Sequence, residues 1–201
     1  AACAATDLAG FALIGAENGY MHSIITTYVK LLSKVKYVNG AYIYDENIKQ
    51  EEIILRLYAF ALFKLGENKE AIFNAEKLIF SYKNANNYEL LGSIYLEDKQ
   101  YLKSYEAFNN AFLLNSSPNT LMTLATIQFV NLNEKEEAIK KLENYIYKND
   151  YNFPLCMQLL AFYDEIKAQD RLVSFLKNMY LYYKKSENQL LVNKTKALFL
   201  K

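Results

Sequence analysis

The sequence contains no tryptophan, one histidine, two cysteines, two prolines and six glycines in 201 residues. So few turn formers disfavour a β-sandwich or barrel, which needs tight turns at short intervals. Cys3 and Cys156 lie far apart and form no CxxC pair, so no disulfide framework is expected. His22 has no Cys or carboxylate near it at ligand spacing, so no metal site is expected either. An excess of either charge is also missing. With 23 Lys+Arg against 22 Asp+Glu, there is no basic footprint for nucleic acid and no acidic tail. Long apolar runs are absent too. The longest, Ala9 to Ala16, falls short of the roughly 18 residues a membrane span requires, so no transmembrane segment is expected. Neither GxGxxG, nor a phosphate loop, nor GxSxG occurs. The carboxylates between Asn133 and Glu143 alternate with lysines, as charge pairs along a solvated helix do. Cys156, beside Met157 and Leu159, reads as a small buried hydrophobe. No catalytic residue, metal ligand or cofactor is expected, and the chain does not read as an enzyme.

What is present is apolar spacing of helical period. The hydrophobic content is 52 %, enough for a folded core. Leu55/Tyr58/Leu62, Tyr88/Leu91/Tyr95, Met122/Ala125/Phe129 and Cys156/Leu159/Tyr163 recur at intervals of three and four, placing each set on one helix face. Each set precedes a polar turn and a second apolar helix. Aligning the turns brings Ala71, Ser104, Ala138 and Leu172 into register at separations of 33, 34 and 34. The pattern predicts four pairs of antiparallel helices, A and B, over about 52–84, 85–118, 119–152 and 153–186. Pro118 and Pro154 fall where one hairpin ends and the next begins, and proline is tolerated at a helix start. One hairpin cannot bury its apolar face alone, so stacking is required.

The second hairpin resembles a tetratricopeptide repeat. Tyr88, the pair Leu91-Gly92 and Tyr95 match the family pattern on helix A. Ser104, Phe108 and Ala111 match on helix B, with Pro118 two residues late. Ala71 and Ala138 hold the small position of helix B in the first and third repeats, and Tyr58-Ala59 and Ala125-Thr126 stand in for Leu-Gly. Leu159-Leu160 and Leu172 make the fourth repeat the loosest match. The resemblance implies an all-α fold, a right-handed superhelical solenoid of stacked hairpins whose concave face is lined by helix A.

Carried over residue by residue, the resemblance implies a groove with Leu57, Phe60 and Phe63 from repeat one, and Leu90 and Ser93 from repeat two. Repeat three supplies Leu124 and Ile127, and repeat four Gln158. A subset of the family grips a chaperone's terminal carboxylate with Lys, Asn and Arg. The matching positions here hold Arg56, Phe60, Leu90, Thr120 and Leu124, four of which cannot serve. The groove is instead apolar at its centre. The expected partner is a protein or peptide segment, apolar and either helical or extended, and self-association stays open. Two roles follow from the resemblance. One is an adaptor or scaffold in a bacterial envelope, motility or secretion assembly. The other is a dedicated chaperone for an exported hydrophobic subunit.

The ends read less regularly. Residues 1–50 suggest a degenerate helical hairpin, Asp7 to Ala16 and Met21 to Lys34, followed by an insertion. Within 37–44, Asn39-Gly40 between β-prone residues signals either a small β-ribbon or an irregular loop. Residues 187–201 read as a capping helix with Leu190, Leu191, Ala197 and Leu198 on its apolar face. The chain starts with Ala and shows no targeting signal. It is expected to be processed or trimmed, in either the cytoplasm or the periplasm.

Overall fold

The computed structural model describes residues 48–199 and two short strands, β1 (Tyr37–Val38) and β2 (Ala41–Tyr42). The strands pair antiparallel, Tyr37 opposite Tyr42 and Val38 opposite Ala41, so the insertion takes the ribbon form. The expected N-terminal hairpin, with Cys3 and His22, lies outside the described residues, as do residues 200 and 201.

The chain divides into two compact units, 1–115 and 116–201. In the first, α1 (Ile48–Lys64) pairs with α2 (Asn68–Ser81), and α3 (Ala85–Glu97) with α4 (Tyr101–Leu114). In the second, α5 (Pro118–Thr126) continues through a π-helical turn, Ile127–Asn131, before α6 (Lys135–Lys148). There follow α7 (Phe153–Glu165), α8 (Gln169–Lys185) and α9 (Gln189–Leu198).

Each A-to-B turn is made the same way. Gly66, Lys99, Asn133 and Lys167 adopt left-handed backbone with φ between 58° and 79°, at intervals of 33, 34 and 34 residues. At Lys99 the amide of Gln100 donates to the Tyr95 carbonyl at 2.8 Å, and the Lys99 amide donates to Leu96 at 3.1 Å. These bonds satisfy carbonyls that a helix end leaves orphaned. At the other ends, the Asn84, Asn152 and Asn188 side chains accept from the third amide of α3, α7 and α9. A cap of this kind stabilises a helix by about 1 kcal/mol.

The first unit packs around Ala59, Leu62, Ala71, Ala75, Ile79, Leu91, Ile94, Tyr95 and Ala107. Gly92 explains how α3 and α4 come so close. A Cβ built there would lie 2.7 Å from Cδ2 of the buried Phe108 ring, and the Ser104 hydroxyl donates to the Gly92 carbonyl at 2.7 Å. The absent side chain is where the partner helix sits. Ala111 is fully buried beside this contact on the same face of α4, and Tyr88 packs against the cluster from its edge.

The second unit departs from that template in one place. From cap to left-handed turn, α3 and α7 span 15 residues (Asn84 to Lys99, Asn152 to Lys167), but the third repeat spans 16 (Ser117 to Asn133). The π turn absorbs the extra residue, the Leu132 amide donating to Ile127 five residues back at 3.0 Å. Counted from the caps, Ala125 and not Thr126 occupies the place of Gly92. Accordingly, Ala125 is fully buried, while Thr126 is exposed. In α9 the buried residues are Val192 and Thr195. The predicted apolar face is thus rotated, and Leu190 is 65 % exposed.

Candidate functional site

The predicted groove residues divide by unit. In the first unit Leu57, Phe60 and Phe63 lie half-buried on α1, and Leu90 and Ser93 half-buried on α3. Glu52 ties these two helices together, accepting from Asn84 Nδ2 at 2.5 Å and from Asn87 Nδ2 at 3.0 Å. Phe63 and Leu90 pack at the margin of the core, each keeping part of its surface in solvent. Phe60 and Phe63, three residues apart on one face, meet edge to face at 6.5 Å between ring centroids. The Lys64 ammonium lies 5.2 Å from one ring centre and 5.3 Å from the other. A cation over an aromatic face contributes about 0.5–1 kcal/mol at an exposed site. Ser93 spends its hydroxyl on its own helix, donating to Glu89 O at 2.8 Å.

In the second unit the prediction needs correcting. Leu124 and Ile127 are 0 % and 1 % exposed, so they are core and line no groove. The residue inserted at the π turn is the reason, because alignment on the turns placed α5 one position out of register. The outward residues of α5 are Asn119, Met122, Thr123 and Thr126, which are more polar than expected. Gln158 is half-buried and structural. Its Nε2 donates to the Met122 carbonyl at 2.8 Å and to Thr126 Oγ1 at 2.7 Å, holding α7 to α5. The signal was in the sequence: the distance from cap to turn is one residue longer in this repeat than in its neighbours.

Two contacts that the sequence reading missed join consecutive hairpins. The Tyr95 hydroxyl on α3 donates to Glu76 on α2, and the Tyr163 hydroxyl on α7 donates to Glu143 on α6. Arg171 lies 4.9 Å from the Tyr163 ring and reaches Glu136 at 2.9 Å and Glu143 at 3.3 Å. Burial, followed by the carboxylate, drives both tyrosine hydroxyls above their ordinary range. Burial pushes the Cys156 thiol up to about 12, keeping it protonated and unsuited to nucleophilic attack. Among the described residues, no three His, Cys, Asp or Glu side chains converge to hold a metal, and no helix is long and apolar enough to cross a membrane.

The family described as anaphase-promoting complex, cyclosome, subunit 3 matches residues 64–145. No curated protein sequence matches. Among solved structures, MamA aligns at 18 % identity with a TM-score of 0.62, covering 87 % of this chain and 95 % of its own. The nearly identical TPR-like repeats from Podosopora anserina align at 12 % identity and a TM-score of 0.66, covering 90 % and 95 %. The chain has the tetratricopeptide-repeat fold. YrrB, described as a TPR protein with an unusual peptide-binding site, is a further TPR relative in fold. It aligns at 13 % identity and a TM-score of 0.58, over 94 % of this chain and 90 % of its own. A TPR fold is typically an interaction scaffold, and in this one the apolar half-exposed A-helix residues are concentrated on α1.

Proposed function

We propose that this chain is a non-catalytic interaction module that holds an apolar segment of another protein on the A-helix face of its first unit. It would serve as an adaptor or scaffold in a bacterial multiprotein assembly. The observation that carries the reading is the Phe60–Phe63 pair under Lys64, with Leu57 and Leu90 also half in solvent. A core would have buried these rings. Aromatic anchors of this kind dominate binding energy at interfaces, and a cation beside them selects against a basic partner. The peptide-binding site named for YrrB supports the reading by likeness of fold.

The test is an affinity capture comparing wild type with Leu57→Glu/Phe60→Glu. Both side chains are half-exposed, so helicity by circular dichroism should be retained while capture falls by tenfold or more, the order expected for losing one aromatic hot spot. Capture at wild-type strength would refute the A-helix site. The chaperone role differs in requiring release of the client, which a pulse-chase of the captured complex resolves.

A further inference from the structure

In the first unit, the C-terminal ends of both B helices present large apolar side chains to solvent. Phe80 on α2 and Leu113 on α4 hold the same repeat position, each fourteen residues after its left-handed turn. They are 86 % and 73 % exposed, and Leu114 beside them is 55 % exposed. One exposed leucine needs no explanation, but the same place left apolar and uncovered in adjoining hairpins does.

The charges at this edge have one sign. Lys77 and Lys83 flank Phe80, both exposed and neither in an ion pair among the described residues. Neither 77–83 nor 109–115 contains a carboxylate. Elsewhere on these helices Glu76 takes the Tyr95 hydroxyl, while Glu70 and Glu106 lie about two turns or more toward the other end. Glu52, which reaches this end of the unit from α1, accepts from the Asn84 and Asn87 amides. The edge is thus apolar and cationic, and its complement is apolar and anionic. A protein with that chemistry would need a socket cut to each protruding side chain. The headgroup region of a bilayer closes around any apolar side chain that protrudes. Lysine stems lie along it while their ammonium groups meet anionic headgroups.

We propose that the Phe80/Leu113/Leu114 edge, with Lys77 and Lys83, seats the first unit on an anionic lipid surface. The contact is peripheral, with side chains and no helix entering the bilayer. It involves B helices of one unit only and is independent of the A-helix site.

Co-sedimentation with vesicles tests it on the full chain. One set of vesicles holds phosphatidylcholine alone, and the other equal parts of phosphatidylcholine and phosphatidylglycerol. Wild type should bind the anionic set roughly tenfold more tightly or better, the order expected for two lysines at such a surface, and raised salt should release it. Lys77→Gln/Lys83→Gln should lose that preference. Phe80→Ser/Leu113→Ser should weaken binding to the anionic set by about tenfold, with unchanged circular dichroism. Leu113→Ser/Leu114→Ser replaces it should helicity fall. A wild type that sediments with neither set, or equally with both, would overturn the proposal. Binding that survives both variants at full strength would also overturn it, by placing the contact elsewhere in the chain. Retention on immobilised poly-glutamate without vesicle binding would overturn it too, and would assign the edge to an acidic protein segment.

Discussion

Gly92 weighs against its own helix and in favour of the hairpin. Glycine in a helix interior costs about 1 kcal/mol relative to alanine. An alanine Cβ, however, would sit 2.7 and 2.8 Å from two ring carbons of Phe108, which is itself buried. Overpacking of that kind costs about 1–3 kcal/mol, so it outweighs the propensity gained. Set against the propensity gained, Gly92→Ala is therefore expected to destabilise the fold by up to about 2 kcal/mol and Gly92→Leu by more. For a chain of this size each kcal/mol lowers Tm by about 2–4 °C. Thermal melts check the direction, and an alanine variant that melts higher than wild type would contradict the account. Gly92→Ala/Phe108→Leu should recover part of the loss, since a side chain less extended near the new methyl removes the collision.

At the scale of the element, the π turn in the third repeat makes a sharper prediction. Ile127 and Gln128 both fall at the position that Ile94 holds alone in α3, and both are buried. Gln128 Nε2 reaches Glu134 at 2.9 Å, but its Oε1 is buried without a partner. A buried orphan acceptor costs about 1–3 kcal/mol. Deleting Gln128 restores the 15-residue span and leaves Ala125, Ile127 and Phe129 in the places of Gly92, Ile94 and Tyr95. The deletion variant should fold, with helicity and denaturant midpoint at or above wild type. Deleting Ile94, where no residue is in excess, should abolish the cooperative transition of that unit.

The same turn marks where sequence reading reaches its limit. Helix A and helix B could be assigned because apolar residues recur at three and four, and the Gly92 contact because Leu-Gly faces Ser104 and Phe108 across the hairpin. The spacing of Ala71, Ser104, Ala138 and Leu172 is fixed by B helices and turns, and it is blind to a residue inserted upstream in helix A. That one residue moved Leu124 and Ile127 from groove to core. Lys64 over two phenylalanine rings was equally hidden, because a lysine after an aromatic pair can extend into solvent as readily as fold back.

Across the whole molecule, polar side chains buried in their protonated form make stability depend on alkaline pH. Tyr95, Tyr163, Tyr183 and Cys156 are all raised in the folded state, burial being the largest cause in each. Their neutral forms are favoured by folding, so the unfolded chain loses these protons first as pH climbs. Full stability is retained below the ordinary thiol value of 9.0, and it declines as the pH passes that value and then the tyrosine value of 10.0. Urea midpoints measured from about pH 8 to about pH 11 should fall steadily over this window. Tyr163→Phe should show a shallower decline, and a midpoint independent of pH would refute the linkage.

The hydroxyl-to-carboxylate contacts between hairpins have a consequence for how such a chain can be rearranged. Tyr95 with Glu76 and Tyr163 with Glu143 are the same fitting, each reaching from an A helix to the preceding B helix. In the third hairpin the equivalent place holds Phe129, which has no hydroxyl to give and stacks on Phe162 at 3.9 Å. The hairpins are thus not freely interchangeable parts. A graft that brings α7 and α8 in behind α2 supplies a donor to a waiting acceptor, whereas one that brings in α5 and α6 leaves Glu76 unanswered. Recombination among repeats of this chain would keep or lose that fitting according to whether the incoming A helix carries a tyrosine at this place.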